Sequence, residues 1–291
     1  MAASIRNIKA RVSATKKTAQ ITKAMNMVSA SKLKGAQNAT ESFRPYMKHV
    51  EEIISNLASS GEKLNHPLLN KRDVKKTCYV LITSDRGLAG PFNANVCKVL
   101  LKLTENSNYC CIPLGNKGYY YCKSKKIVTL DDELVSLPDD VPFENILSLT
   151  TKLVKGYLKG EFDEVVVIYN HFVNTLKIEP STFRLLPIEN DFEESKASIN
   201  KNYEFDEEVE SILDTILPLY LENVIYGLIL DSKASEHASR MTAMSSATDN
   251  ATEVISKLEI AYNRARQQAI TLELTDIILQ SWDKRVRNRL V

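Results

Sequence analysis

Asp231-Ser-Lys-Ala-Ser-Glu-His-Ala-Ser-Arg-Met-Thr-Ala-Met-Ser-Ser-Ala-Thr-Asp-Asn-Ala251 opens a run that continues to Asp276 without a single Gly or Pro. Within it Ala234, His237, Met241, Met244, Thr248, Ala251, Ile255, Leu258, Tyr262, Ala265, Ala269 and Leu272 recur at alternating steps of three and four. A mean period of about 3.5 residues keeps one stripe of a helix against a second, supercoiling helix. Small residues at Ala234, Ala251, Ala265 and Ala269 let two backbones come close. The pattern predicts a long, paired helix and carries no chemistry of its own.

The partner is at the other end of the chain. From about Ser4 to Leu57 the sequence is rich in Ala, Lys, Met, Ser and Thr, with Ile5, Ile8, Val12, Ile21, Met25 and Val28 as a helical apolar face. Gly35 and Pro45 are its weak points. At about 1.5 Å per residue such a helix reaches on the order of 80 Å, so it must lie on another long helix or protrude. Its charge is one-sided: Arg6, Lys9, Arg11, Lys16, Lys17, Lys23, Lys32 and Lys34 precede the first acidic residue, Glu41. A basic arm of this kind suits an anionic partner. No aromatic residue precedes Phe43, so it offers no stacking platform for single-stranded bases.

Between the helices the rhythm changes. Cys78-Tyr-Val-Leu-Ile-Thr83 and Glu164-Val-Val-Val-Ile-Tyr-Asn170 read as buried strands, with weaker strands at 109–114, 126–130, 176–179 and 183–186. Helical stretches at 91–103 and 143–158 separate them, and Gly115-Asn-Lys-Gly118 reads as a short turn. Alternation of this kind predicts a small, Rossmann-like α/β sheet. The expected organisation is an N-terminal coiled-coil helix at 1–60, a linker at 61–76, the α/β domain at 77–190, an acidic linker at 191–205 and a C-terminal coiled-coil helix at 206–291. Asp206 would cap that last helix, with Glu207 and Glu208 in its first turn, and its length would be on the order of 120 Å. An insert attached to both helices forces them to pair antiparallel.

Composition narrows the function. A net charge of +2 over 291 residues argues neither for nor against nucleic acid. The longest apolar run, 216–230, is interrupted by Pro218, Glu222 and Asn223 and falls short of the roughly 18 to 20 residues of a membrane span; the start of the chain has no apolar signal core. Cys78, Cys97, Cys110, Cys111 and Cys122 have no C-x-x-C spacing and read as buried free thiols. His49, His66, His171 and His237 are too dispersed for a metal cluster or a triad; His237, on the seam, reads as a hydrogen-bonded interface histidine. The turn Ser84-Asp-Arg-Gly-Leu-Ala-Gly90 is where an α/β sheet takes a ligand, yet its glycines make neither a dinucleotide fingerprint nor a P-loop. No cofactor is expected.

The words of the chain resemble those of one family. Residues 231–251, followed by Tyr262-Asn-Arg-Ala-Arg-Gln-Gln-Ala-Ile-Thr-Leu-Glu273, resemble the C-terminal helix of the gamma subunits of F-type ATP synthases. Lys16-Lys-Thr-Ala-Gln-Ile-Thr-Lys-Ala-Met-Asn-Met-Val-Ser-Ala-Ser-Lys-Leu33 is similar to the family's N-terminal helix, and Thr83-Ser-Asp-Arg-Gly-Leu-Ala-Gly90 to its first strand-to-helix turn. The resemblance implies a rotor shaft that catalyses nothing itself and couples proton-driven rotation of a membrane c-ring to ATP synthesis or hydrolysis. The implied partners are three alpha and three beta subunits, the epsilon subunit and the c-ring, with no nucleic acid and no membrane span of its own. The implied place is the cytoplasmic face of a bacterial membrane, or else the matrix face of the mitochondrial inner membrane. Carried over by position, Met25, beside Lys23, and Arg240 face the lower loops of the catalytic subunits; Arg266 and Gln267 make a polar contact higher in the ring, with Thr271 and Glu273 just beyond. The sequence departs from the family after Asp276, where Trp282, Lys284, Arg285, Arg287 and Arg289 replace a small apolar tip. The competing class is a coiled-coil scaffold with an α/β hinge, associated with nucleic acid through its basic arm.

Overall fold

The structure, a computed structural model, describes residues 2–59, 66–105, 107–188 and 209–287. The expected cap at Asp206, the acidic residues Glu207 and Glu208, the linker at 191–205 and the side chains of Trp282 and the basic tip lie outside the described residues. Two compact units emerge: Met1–Met27 with Ala243–Val291, and Val28–Thr242. Helix α1 (Ala2–Ser59) and helix α5 (Val209–Arg287) contribute to both. Neither Pro45 in α1 nor Pro218 in α5 interrupts its helix.

The first unit is an antiparallel helix pair. Thr248 donates its hydroxyl to Met244 O at 2.8 Å, leaving its oxygen to meet Thr22 Oγ1 at 2.7 Å. Further along, Lys16 pairs with Glu259 at 2.7 Å; as numbers fall in α1 they rise in α5. On α5 the heptad positions Met244, Thr248, Ala251, Ile255, Leu258, Tyr262, Ala265 and Ala269 are buried or half-buried, with Ala243 and Ala247 beside them, whereas Leu272, the last expected seam residue, is 43% exposed. On α1 the expectation needs correction. Ile5, Ile8 and Val12 are on the seam, but it continues through Thr15, Ala19 and Thr22, while Ile21 is 60% exposed. Spacing of 3.5 residues outranks hydrophobicity here, because a threonine whose hydroxyl is satisfied within its own helix, as Thr15 is by Arg11 O, fits a close crossing better than isoleucine.

The second unit is a sheet between helices. Strands β1 (Thr77–Ile82), β2 (Tyr109–Leu114) and β3 (Glu164–Phe172) are parallel, β4 (Ile178–Leu186) is antiparallel to β3, and the order is β2-β1-β3-β4. The expected strand at 126–130 is reduced to a single bridge, Cys111 to Thr129. Residues 116–118 are not merely a turn; they begin helix α3 (Asn116–Lys125), whose glycine, tyrosines and weak amphipathicity hide it from a periodicity reading. Strand residues alternate between two cores. Cys78, Val80, Ile82, Ile112, Val165 and Val167 face α4 (Phe143–Leu158) and the start of α5; Tyr79, Leu81, Cys111 and Ile168 face α2 (Phe92–Thr104) and α3. Both faces are covered, so β1 is buried throughout.

That packing also accounts for the most apolar part of α5. By length and composition α5 could cross a membrane, since an 18-residue window of it reaches a mean hydropathy of 1.4. Leu213, Leu217, Leu221, Val224, Ile225 and Ile229, however, are all buried in the sheet's core. Their burial stabilises the folded unit by on the order of 10 kcal/mol, which gives that hydropathy a purpose inside the protein.

Candidate functional site

From β1 the chain crosses by way of α2 to β2 on one side, then passes back through α4 to β3 on the other. The reversal makes a crevice at the carboxyl ends of β1 and β3, the place where open α/β sheets hold ligands. Here the polar groups of the β1 turn are used internally. Ser84 Oγ donates to Arg86 O at 2.6 Å, and Ser84 N donates to Asn93 Oδ1 at 3.0 Å. The Asp85 carboxylate accepts from Asn116 N at 2.9 Å, at the positive end of α3, and from Ser136 Oγ at 2.7 Å.

The crevice itself is occupied by α5. Residues 232–240 are buried on every side of the helix. Ser235 Oγ donates to Asn170 O on β3 at 2.9 Å, and Ser239 Oγ donates to Ala89 O after β1 at 2.6 Å. Asp231 accepts from Phe172 N at 3.0 Å and meets His171 Nδ1 at 2.6 Å. Small hydroxyls at a spacing of four thus replace the polar groups that a ligand would bring.

A buried charge network completes the seat. Glu236 receives Lys233 Nζ at 3.1 Å and Arg240 Nη2 at 2.7 Å, all three side chains being at most 10% exposed. Lys233 also donates to Leu137 O at 2.5 Å, and Arg240 reaches the carbonyls of Arg86 and Gly87 at 3.3 and 3.4 Å. Between those carbonyls and the Ser239 contact lies Leu88, left-handed at φ 62° and 63% exposed. A bulky residue rarely adopts that conformation unless its surroundings hold it there. α5 therefore grips the turn from which Leu88 projects.

The site residues expected from the sequence separate into two groups. Arg240 is turned inward, with its guanidinium spent on Glu236 and two backbone carbonyls. Lys23, Arg266, Gln267, Thr271 and Glu273 are exposed in the helix pair, and Met25 is half-buried there. Thr271 bonds back into its own helix, to Gln267 O at 2.9 Å. Glu273 and Asp276 line an open groove of about 430 Å³ with Ile5, Arg6, Lys9, Ala269 and Leu272. Lys23 and Met25 sit within one turn of Thr22, whose partner Thr248 is several turns along α5 from Arg266, and Arg240 belongs to the other unit. Around them Ile21, Met27, Ile260, Ile270, Leu274, Ile277, Ile278 and Leu279 expose apolar surface, much more than a two-helix rod in water leaves uncovered.

Lys233, Ser235, Glu236 and Ser239 escaped the sequence reading. The available signal was a helix segment with polar residues on every face and no glycine, which a purely solvated helix does not need. Among the described residues no cluster of His, Cys, Asp and Glu is arranged for a metal ion. The five cysteines are free and buried; burial first, then Cys122, pushes the Cys97 thiol up to about 12, far from reactive.

The sequence matches the ATP synthase family over residues 4–279. It is 45% identical over 280 residues to the ATP synthase gamma chain of Staphylococcus saprophyticus, covering 94% of this chain and 97% of that one. It is also 45% identical to the gamma chain of Macrococcus caseolyticus over 282 residues, 95% and 97% of the two chains. The chain belongs to the ATP synthase gamma family. Among solved structures it is similar to the central stalk and c-ring of the Tetrahymena thermophila mitochondrial ATP synthase, with a TM-score of 0.58 and 28% identity over 78% of this chain and 99% of that one. A chain from the Euglena gracilis mitochondrial assembly of OSCP, F1 and c-ring has the same fold, with a TM-score of 0.69 at 20% identity over 96% of this chain and 93% of that one. The fold is thus one found in chains of mitochondrial ATP synthase assemblies.

Proposed function

We propose that this gamma-family chain is the central rotor shaft of an F-type ATP synthase and is itself non-catalytic. It stands inside a ring of three alpha and three beta subunits, with epsilon and the c-ring as its other partners, at the cytoplasmic face of a bacterial cell membrane. The observation that carries the reading is the helix pair of the first unit. Two helices cannot present the same surface in three directions, so three chemically identical catalytic subunits around them meet three different surfaces. Unequal contact free energy holds those subunits in different conformations, and turning the shaft exchanges them. Coupling is reciprocal: hydrolysis turns the shaft, and driven rotation reshapes the sites.

The exposed polar residues Arg266, Gln267 and Glu273, set among exposed Ile270, Leu274 and Ile277, are the proposed upper contact, and Lys23 with Met25 the lower one. Arg240, in the other unit, holds the Arg86–Gly87 turn. Co-expression with the other subunits tests the assignment: alpha and beta should co-purify with the chain, and binding of duplex DNA that weakens with salt would point to the scaffold instead. In the assembled complex, Arg266→Ala should cut ATP-driven proton pumping about tenfold at unchanged assembly, since a charge-assisted hydrogen bond contributes about 1.5 kcal/mol or more. Unchanged pumping would remove Arg266 from the interface.

A further inference from the structure

α1 and α5 are also joined in the second unit, by way of a third segment. Leu33 of α1 packs on Ala234 and Ala238 of α5. Beside this contact, Asp139, in the segment before α4, bridges the helices: its Oδ2 binds Lys32 Nζ of α1, and its Oδ1 lies 3.1 Å from His237 Nε2 of α5. The His237 side chain is 4% exposed, and its Nδ1 is buried with no hydrogen-bond partner. Neutral imidazole fits this geometry: Nε2–H donates to the carboxylate, and Nδ1 is left as a bare acceptor. Imidazolium fits worse, because its second N–H would be a buried donor on a charged ring facing nothing, and an unmet charged group is costlier than a bare neutral acceptor.

We propose that His237 is a proton-sensitive latch, which when neutral ties α5 through Asp139 to Lys32 of α1 and when protonated releases that three-way joint. The charged groups around it agree. Burial pushes the imidazole pKa below its ordinary value; Glu236 and Asp139 pull it up and lose, and Arg240 and Lys233 add to the downward push. Lys32 reinforces this from α1 by sharing the carboxylate that faces Nε2. Asp139, for its part, feels burial as an upward push but is held below the usual carboxylate range by Lys32 and His237, so it keeps its charge while the imidazole titrates. For a base whose folded-state pKa is depressed, the unfolded or opened form binds protons more readily. The joint is therefore whole above about pH 6.5, the ordinary histidine value, and loosens as pH falls below it. Acidification of the solvent would uncouple the two helices at this point. The latch is internal to one unit and stands whether or not the chain turns in a ring.

His237→Gln separates titration from structure, since the Gln amide can donate to Asp139 as Nε2–H does but takes up no proton. Hydrogen–deuterium exchange of residues 29–40 in the full chain, compared between wild type and H237Q at each pH, cancels the intrinsic chemistry. The two should match at pH 8, and the wild type should exchange at least about threefold faster at pH 5.5. A ratio that does not change with pH overturns the latch. Should H237Q fail to fold, imidazole NMR of the wild type decides, with His237 assigned by elimination through H49Q, H66Q and H171Q. A midpoint below 6.5 supports the proposal, and one at or above 6.5 overturns it.

Discussion

Glu236→Ala is expected to destabilise the α/β-bearing unit by about 3–5 kcal/mol, the scale for removing one member of a buried ion network. The size follows from what remains. Among the described residues Glu236 is the only carboxylate bonded to Lys233 and Arg240, and without it these two buried cations are left with backbone carbonyls. Arg240→Ala should cost less, because Glu236 keeps Lys233. Glu236→Gln should fall between, since an acceptor remains while the charge goes. Replacing all three by apolar residues of similar volume should recover much of the loss, as neutral cores commonly match buried ion pairs. Equilibrium denaturation of the full chain orders the four variants. If Glu236→Ala cost under about 1 kcal/mol, water would have to reach the cations, and α5 could not be seated in the crevice as described.

Much of this architecture can be read from spacing alone. The heptads of α5 mark covered residues of the helix pair from Met244 to Ala269, and the unbroken apolar runs of β1 and β3 fit a sheet covered on both faces. Spacing misleads where another term outranks apolarity. Ile21 and Val28 look like seam residues, yet they are exposed, because the true seam runs through Thr15, Ala19 and Thr22. α3 is invisible because it is stabilised by its setting: Asp85 at its first turn and Lys126 in a left-handed conformation at its end. The seat of α5 was hidden for a related reason. Arg240 on a helix surface reads as a group awaiting a partner molecule, and only the fold shows Glu236 one turn back and the Arg86–Gly87 carbonyls beside it. Sequence pattern specifies which face of a helix is covered. What covers it depends on segments more than a hundred residues away.

Gly115→Ala should be the most damaging of the glycine substitutions in the sheet, at about 4 kcal/mol, the sum of a strained left-handed backbone and an overpacked contact. Gly115 has φ 89°, and a Cβ there would stand 2.3 Å from Thr83 O and 2.9 Å from Thr83 Oγ1. Neither atom can retreat. Thr83 N donates to Leu114 O at 2.9 Å, Thr83 Oγ1 donates to the same carbonyl at 2.8 Å, and that hydroxyl accepts Gly118 N, also at 2.8 Å. Gly115 N is itself held by Val135 O at 2.8 Å. Two other glycines separate the contributions. Gly160 is also left-handed, at φ 73°, but a Cβ there meets nothing within 4 Å, so Gly160→Ala should cost only the backbone term, about 1–2 kcal/mol. Gly35 lies in helix α1 with open space around it, and Gly35→Ala should stabilise by up to about 1 kcal/mol. The difference between the costs at 115 and 160, read by denaturation of the full chain, combines the cost of moving Thr83 with the greater strain of Gly115's extended ψ of 146°. If the two costs were equal, the β1 and β2 ends would be free to part, and the turn that Arg240 grips would rest on a compliant base instead of a rigid one.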